Sequence, residues 1–239
     1  MSNTHVPLPP GNSVENLGDF SVGAGSSGQL HSADVKRVLR NTYLLLAMTL
    51  LFSAGVAVTA LTLQLPAPGL ILTLVGYFGL LYAIHKLQGS GWALPTVFAL
   101  TGFMGYTMGP LLTQSLALPG GAQTVTLSLA ATGATFLALS SYVLLTRRDF
   151  SPIGGFLFIG IVIAMIVGIA AMFLQMPALG LAVSAMVAML SAGLILFETS
   201  RIVNGGETNY VMATVSLYVS VFNLFTSLLS LIGFGGSND

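Results

Sequence analysis

Side chains able to do chemistry are scarce in this chain: its 239 residues include seven Lys/Arg, seven Asp/Glu, three His and no Cys. Without cysteine there is no thiolate metal site, iron–sulfur cluster, thiol nucleophile or disulfide, and three histidines are too few for a convincing metal cluster. The sequence holds no His-Glu-x-x-His, no paired intramembrane aspartate and no phosphate-cradling loop. Nor does a serine pair with a histidine in facing segments, and Gly89-Ser90-Gly91 reads as a flexible turn. The chain is therefore not expected to be an enzyme or to hold a cofactor or metal. Its formal net charge of zero gives no global field to recruit nucleic acid.

One carboxylate stands apart. Glu198 lies near the end of the apolar run 178–200, with Arg201 three residues on. Either Arg201 neutralises it at the membrane boundary, or it is an ionisable group inside the protein. At mid-membrane such a group costs on the order of 2.5–3.5 kcal/mol and is a functional candidate by default. Asn223, inside the last apolar run, is read as bonding a neighbouring helix, with the alternative that it lines an ion path running past Glu198 between the sixth and seventh spans. The stretch Asn204-Gly205-Gly206-Glu207-Thr208-Asn209 reads as a tight turn in which Thr208 or Asn209 caps the next helix and Glu207 can meet a partner.

The elements that position these residues are set by the composition. The chain is 54% hydrophobic and 6% charged, with a mean hydropathy of +0.90, whereas soluble domains carry roughly a quarter charged residues. Seven apolar stretches are expected at 42–64, 69–86, 93–113, 124–145, 153–174, 178–200 and 210–232. Each is near the ~20 residues that cross a hydrocarbon core as a helix. They lack the alternating polarity of barrel strands, and in lipid each backbone amide must find its partner within the segment. The expected fold is all-α, a polytopic bundle of seven transmembrane helices with the lipid bilayer as its surroundings. A six-crossing version with a re-entrant last segment is the alternative.

The basic residues give orientation. Lys36, Arg37 and Arg40 precede the first span, Lys86 with His85 follows the second, Arg147 and Arg148 follow the fourth, and Arg201 follows the sixth. With seven crossings all fall on one side, which puts the N-terminus in the cytoplasm and Asp239 outside. Gly105 and Gly109 in the third span, and Ser184, Ala188 and Ala192 in the sixth, favour close helix approach, as packing within the bundle rather than a dimer face. Pro110 is expected to kink or end its helix. Met104, Met108, Met165, Met172, Met186 and Met189 are read as adaptable filler in the bundle.

Residues 1–41 are rich in Pro, Gly and Ser and read as a mobile cytoplasmic tail; they do not have the pattern of a cleaved secretory signal. A short amphipathic helical start is expected around Asp34 to Arg40, with Ser32 as a possible cap. The transmembrane domain is then 42–235, and 236–239 is a short C-terminal tail.

Three segments carry a resemblance: Gly102-Phe-Met-Gly105-Tyr-Thr-Met-Gly109-Pro110, the run from Phe197 to Tyr210 that includes Asn204-Gly205-Gly206-Glu207, and Ser216-Leu217-Tyr218-Val219-Ser220-Val221-Phe222-Asn223. Over about residues 36–235 the chain resembles the Bax-inhibitor-1 family of seven-span membrane proteins, and most of all the bacterial subgroup that binds and modulates the inner-membrane protease FtsH. The resemblance implies a bacterial inner-membrane regulator that limits proteolysis of other membrane substrates, with FtsH as partner. It also implies a second activity known in some members, a pH-sensitive calcium leak. That leak is controlled by two proton-sharing aspartates in spans six and seven. Glu198 stands at the first of these positions and Ser220 at the second. A carboxylate facing a hydroxyl lacks the coupling of two close carboxylates. The family also places a basic group at the end of span two, where His85 and Lys86 stand as candidate partners of Glu198; histidine as a residue type titrates close to neutral pH.

Overall fold

A computed structural model describes the backbone of residues 20–235 and the side chains of residues 33–233. Seven α-helices follow one another: α1 (Phe20–Thr62), α2 (Leu70–Leu87), α3 (Ala93–Leu116), α4 (Gly121–Thr146), α5 (Gly154–Leu174), α6 (Pro177–Val203) and α7 (Tyr210–Gly235). A single 3-10 turn, Ser151–Ile153, leads into α5. There is no strand among the described residues. The protein is a multi-pass membrane helical bundle.

Six of the helices are long and apolar enough to cross a membrane, and α3 is the one that falls short. Its sequence is diluted by Thr, Gly and Pro, yet Val97, Leu100, Thr101, Met104 and Met108 are buried. A helix shielded by its neighbours does not need a wholly apolar surface. The last segment, offered above as re-entrant, is an unbroken helix of 26 residues.

Two expectations about helix ends need correction. The helix α1 begins at Phe20, so Asp34 to Arg40 is helical as expected but Ser32 lies within the helix, not at its cap. No proline stands between Pro10 and Pro66 to interrupt it. Of the two outcomes expected at Pro110, an end to the helix does not occur: α3 runs on to Leu116, because proline removes one amide donor and the neighbouring turns carry the helix past it. From Val35 onward the described residues form one compact unit. Residues 1–19 and 236–239, read above as parts of tails, lie outside the described residues.

Helix α7 is the axis of the bundle. It packs on α6, α4 and α3, and it reaches α1 through two polar links: Thr214 donates to the Thr42 carbonyl (3.2 Å), and the Tyr218 hydroxyl lies 2.7 Å from Ser53 Oγ. Ala213, Leu217, Tyr218 and Leu229 are fully buried. The small residues of α3 serve packing within the bundle, as expected. A Cβ on Gly105 would run into the Ser53 backbone, and one on Gly109 would sit 3.0 Å from the Ala60 Cβ. Between α5 and α6 the fit is reciprocal, Leu190 lying on Gly160 and Leu157 on Gly193. Met104 and Met108 fill the core, but Met165, Met172, Met186 and Met189 are exposed among the apolar side chains of the outer surface. That corrects their reading as bundle filler: in lipid an outward-facing methionine incurs no penalty.

Candidate functional site at the basic end

The connections that carry basic residues meet at one end of the bundle. Asn209 Nδ2, before α7, donates to Gln88 after α2, to its carbonyl at 3.5 Å and its Oε1 at 3.4 Å. At the same end the α4–α5 connection is fastened to α6 by Ser200. Its Oγ accepts the Phe150 N–H (2.8 Å) and the Asn204 amide (3.2 Å) and donates to the Arg148 carbonyl (3.1 Å). These three bonds use the full capacity of a hydroxyl, one donor and two lone pairs. Beside it the Asp149 carboxylate accepts the Ser151 N–H (2.8 Å). Hydrogen bonds from the Ser151 side chain and then its backbone hold Asp149 below its ordinary pKa.

Glu198 is 7% exposed on the last turns of α6. Its Oε2 lies 3.4 Å from Arg201 Nη1, and Arg201 Nη2 lies 3.1 Å from Glu207 Oε2. One guanidinium thus bridges a buried carboxylate in the helix and a second in the loop, while resting over the Phe197 ring at 5.6 Å. The loop is built to deliver Glu207. Gly205 takes a positive φ of 75°, and the Gly206 N–H donates to the Arg201 carbonyl (2.8 Å) while the Gly205 N–H donates to that of Ile202 (3.3 Å). That is a Schellman ending, which favours glycine at the left-handed position. The Glu207 N–H adds a bond to the Arg201 carbonyl (3.1 Å), and its Oε1 accepts the Asn209 N–H (2.9 Å). Asn209 Oδ1 then caps α7, accepting the Val211 N–H (2.9 Å) and the Met212 N–H (3.4 Å).

Among the described residues Glu198 makes no ion pair with His85 or Lys86 and no hydrogen bond with Ser220. His85 and Lys86 are exposed, and Lys86 Nζ lies over the Tyr82 ring of its own helix at 5.7 Å. Arg201, three residues along the same helix, is the cation at Glu198. Ser220 is buried, but its hydroxyl donates to the Ser216 carbonyl of its own helix (2.9 Å). Asn223 is half-buried and no side-chain hydrogen bond to a neighbouring helix is found for it among the described residues. No group of three or more His, Asp or Glu able to hold a metal occurs among the described residues.

The family model described as "Inhibitor of apoptosis-promoting Bax1" matches residues 35–238. The chain belongs to this family. Among Bax1-inhibitor relatives, it is 51% identical over 198 residues to "Modulator of FtsH protease YccA" of Escherichia coli (strain K12), an alignment covering 83% of this chain and 90% of that one. It is 46% identical over 216 residues to an uncharacterized protein of Pseudomonas aeruginosa, covering 88% and 97%. An uncharacterized membrane protein of Vibrio cholerae is 39% identical over 207 residues, covering 86% and 93%.

In this Bax1-inhibitor member, sequence reasoning found Glu198, Arg201, Glu207 and Asn209 but missed Ser200 and Gln88. A serine at the end of an apolar helix and a glutamine in a loop carry no signal until their partners, 50 and 121 residues away in sequence, are in place.

Proposed function

We propose that this chain is an inner-membrane regulatory protein that binds and modulates the FtsH membrane protease, limiting proteolysis of other membrane substrates. The observation that carries the reading is its 51% identity across 90% of the Escherichia coli protein named as a modulator of that protease. In this reading the end of the bundle that carries Arg148, Arg201 and Lys86 faces the cytoplasm, as the distribution of basic residues favours. The loops fastened there by Ser200, Glu207 and Asn209 form a fixed surface on which a cytoplasmic partner can seat. By the same rule Lys36, Arg37 and Arg40 put the start of the first span on that side, so the segment ahead of it is available for the protease to engage.

The calcium-leak reading needs a second proton-sharing group for Glu198. Here Arg201 holds the carboxylate and Ser220 bonds within its own helix, which favours the modulator.

The test is a mild-detergent pull-down of the tagged protein from its native membrane, with a Glu198→Gln variant alongside. Recovery of FtsH with both forms is expected. Failure to recover it, where other partners of the protease survive, overturns the proposal.

A further inference from the structure

A cavity of about 390 Å³ lies in the bundle away from the basic end, walled by α1, α3, α4 and α7. Helices α1 and α4 touch through Tyr43 and Phe136, whose ring centroids are 5.8 Å apart. Farther from the basic end the exposed residues of the cavity lining are on these two helices, Ala54 and Val58 on α1 and Leu129 and Gly133 on α4, with Val58 and Leu129 55% and 57% exposed. The mouth therefore opens sideways, where the other exposed residues of these helices, Leu51 and Leu137 among them, face lipid chains. Behind the mouth the walls reach side chains that are buried from the outer surface: Ala57, Met108 and Val221.

The polar groups of the lining are already satisfied. The Tyr218 hydroxyl donates to the Thr101 carbonyl (3.3 Å), which leaves Ser53 to donate to Tyr218 (2.7 Å), and Thr132 donates to the Ser128 carbonyl (2.7 Å). Nothing in the walls asks for water, and an apolar cavity without unsatisfied polar groups stays dry and takes apolar ligands. Its volume lies within the roughly 300–1,000 Å³ of small-molecule sites. Left empty, it would forfeit the dispersion contacts of every side chain around it.

We propose that this cavity is a binding site for one acyl chain of a membrane phospholipid, entering from the surrounding leaflet between α1 and α4. The occupant follows from the mouth: it is continuous with the lipid-facing surface, it lies within the hydrocarbon, and its walls offer no charge for a headgroup. The site is separate from the Glu198 cluster and does not depend on protease binding.

The experiment uses the full chain in vesicles of phosphatidylethanolamine and phosphatidylglycerol doped with a phospholipid carrying a photoactivatable diazirine in its chain, with adducts mapped by mass spectrometry. Adducts on Met108, Val221 and Ala57 are expected, because lipid that stays outside the bundle does not touch them. Gly133→Leu tests the site directly, since Gly133 lines the cavity and a Cβ there has nothing within 4 Å. Ala54→Leu does the same from the opposite lip. Each variant is expected to lose the interior adducts while those on Leu145 and Phe156, exposed elsewhere on the surface, persist and report intact folding. Adducts confined to the outer surface, or interior adducts undiminished in both variants, would each overturn the proposal.

Discussion

At the scale of single residues, the basic end rests on a few buried polar side chains whose partners differ in solvent access. Ser200 is completely buried, so Ser200→Ala leaves the half-buried Phe150 N–H without its acceptor, while water can replace the bond to the exposed Asn204 amide. A loss of about 1–3 kcal/mol is expected, read as a lower Tm in detergent together with faster limited proteolysis at Arg147 and Arg148. Glu198 depends on a guanidinium that is itself partly open to water. Removing that cation by Arg201→Ala strands a buried carboxylate and should destabilise by about 3 kcal/mol. Glu198→Gln removes the charge with it, so a smaller loss and an unchanged calcium flux in liposomes are expected; an altered flux would return the carboxylate to an ion path. Asp149 gives a pH prediction. Its folded pKa is lowered, so its stabilising effect is complete above the ordinary carboxylate range and is lost only as pH falls through the lowered value. Proteolysis of the α4–α5 connection should therefore be the same at pH 7 and pH 6.

At the scale of elements, the contacts that matter are helix ends and close helix approaches. Gly205 ends α6 in a left-handed conformation, and Gly205→Ala should cost about 1–2 kcal/mol, while Asn209→Ala should cost about 1 kcal/mol through the lost cap of α7. Thermal unfolding of the purified protein measures both. Gly105 and Gly79 are both helical glycines, but only Gly105 has a second glycine four residues on, the spacing that favours close helix approach. A Cβ at Gly105 meets the Ser53 backbone, whereas one at Gly79 meets nothing. Gly105→Ala should destabilise by about 1–3 kcal/mol, and Gly79→Ala should stabilise by about 0.5–1 kcal/mol. Equal effects at the two positions would contradict the packing of α1 against α3.

At the scale of the whole molecule, the bundle separates two regions that face different surroundings. One end gathers the basic connections and the Glu198, Arg201 and Glu207 cluster; the other half opens an apolar cavity toward lipid. A protease that engages the chain from its N-terminal side should act more slowly when residues 2–30 are deleted, since these precede the compact unit that begins at Val35. Pulse-chase turnover in cells with and without FtsH measures this, and unchanged turnover would remove the N-terminal segment from the mechanism while leaving the docking proposal to the pull-down.

Seven apolar stretches were legible from composition and length, because a helix that must satisfy its own amides in lipid needs about 20 apolar residues and little else. For the same reason the boundaries of α2 through α7 fall close to the expected runs, and local rules sufficed for the Asn209 cap and the proximity of Glu198 to Arg201. The start of α1 and the continuation of α3 past Pro110 were not legible, since helix length there exceeds what the apolar pattern requires. The methionines divide between core and lipid for a similar reason: in a membrane both faces of a helix are apolar, and hydropathy does not tell inside from outside. The hydroxyl of Ser200, the Tyr218 to Ser53 link and the gap between α1 and α4 were decided only by tertiary structure, because each depends on which helices become neighbours, and an apolar sequence leaves that choice to packing.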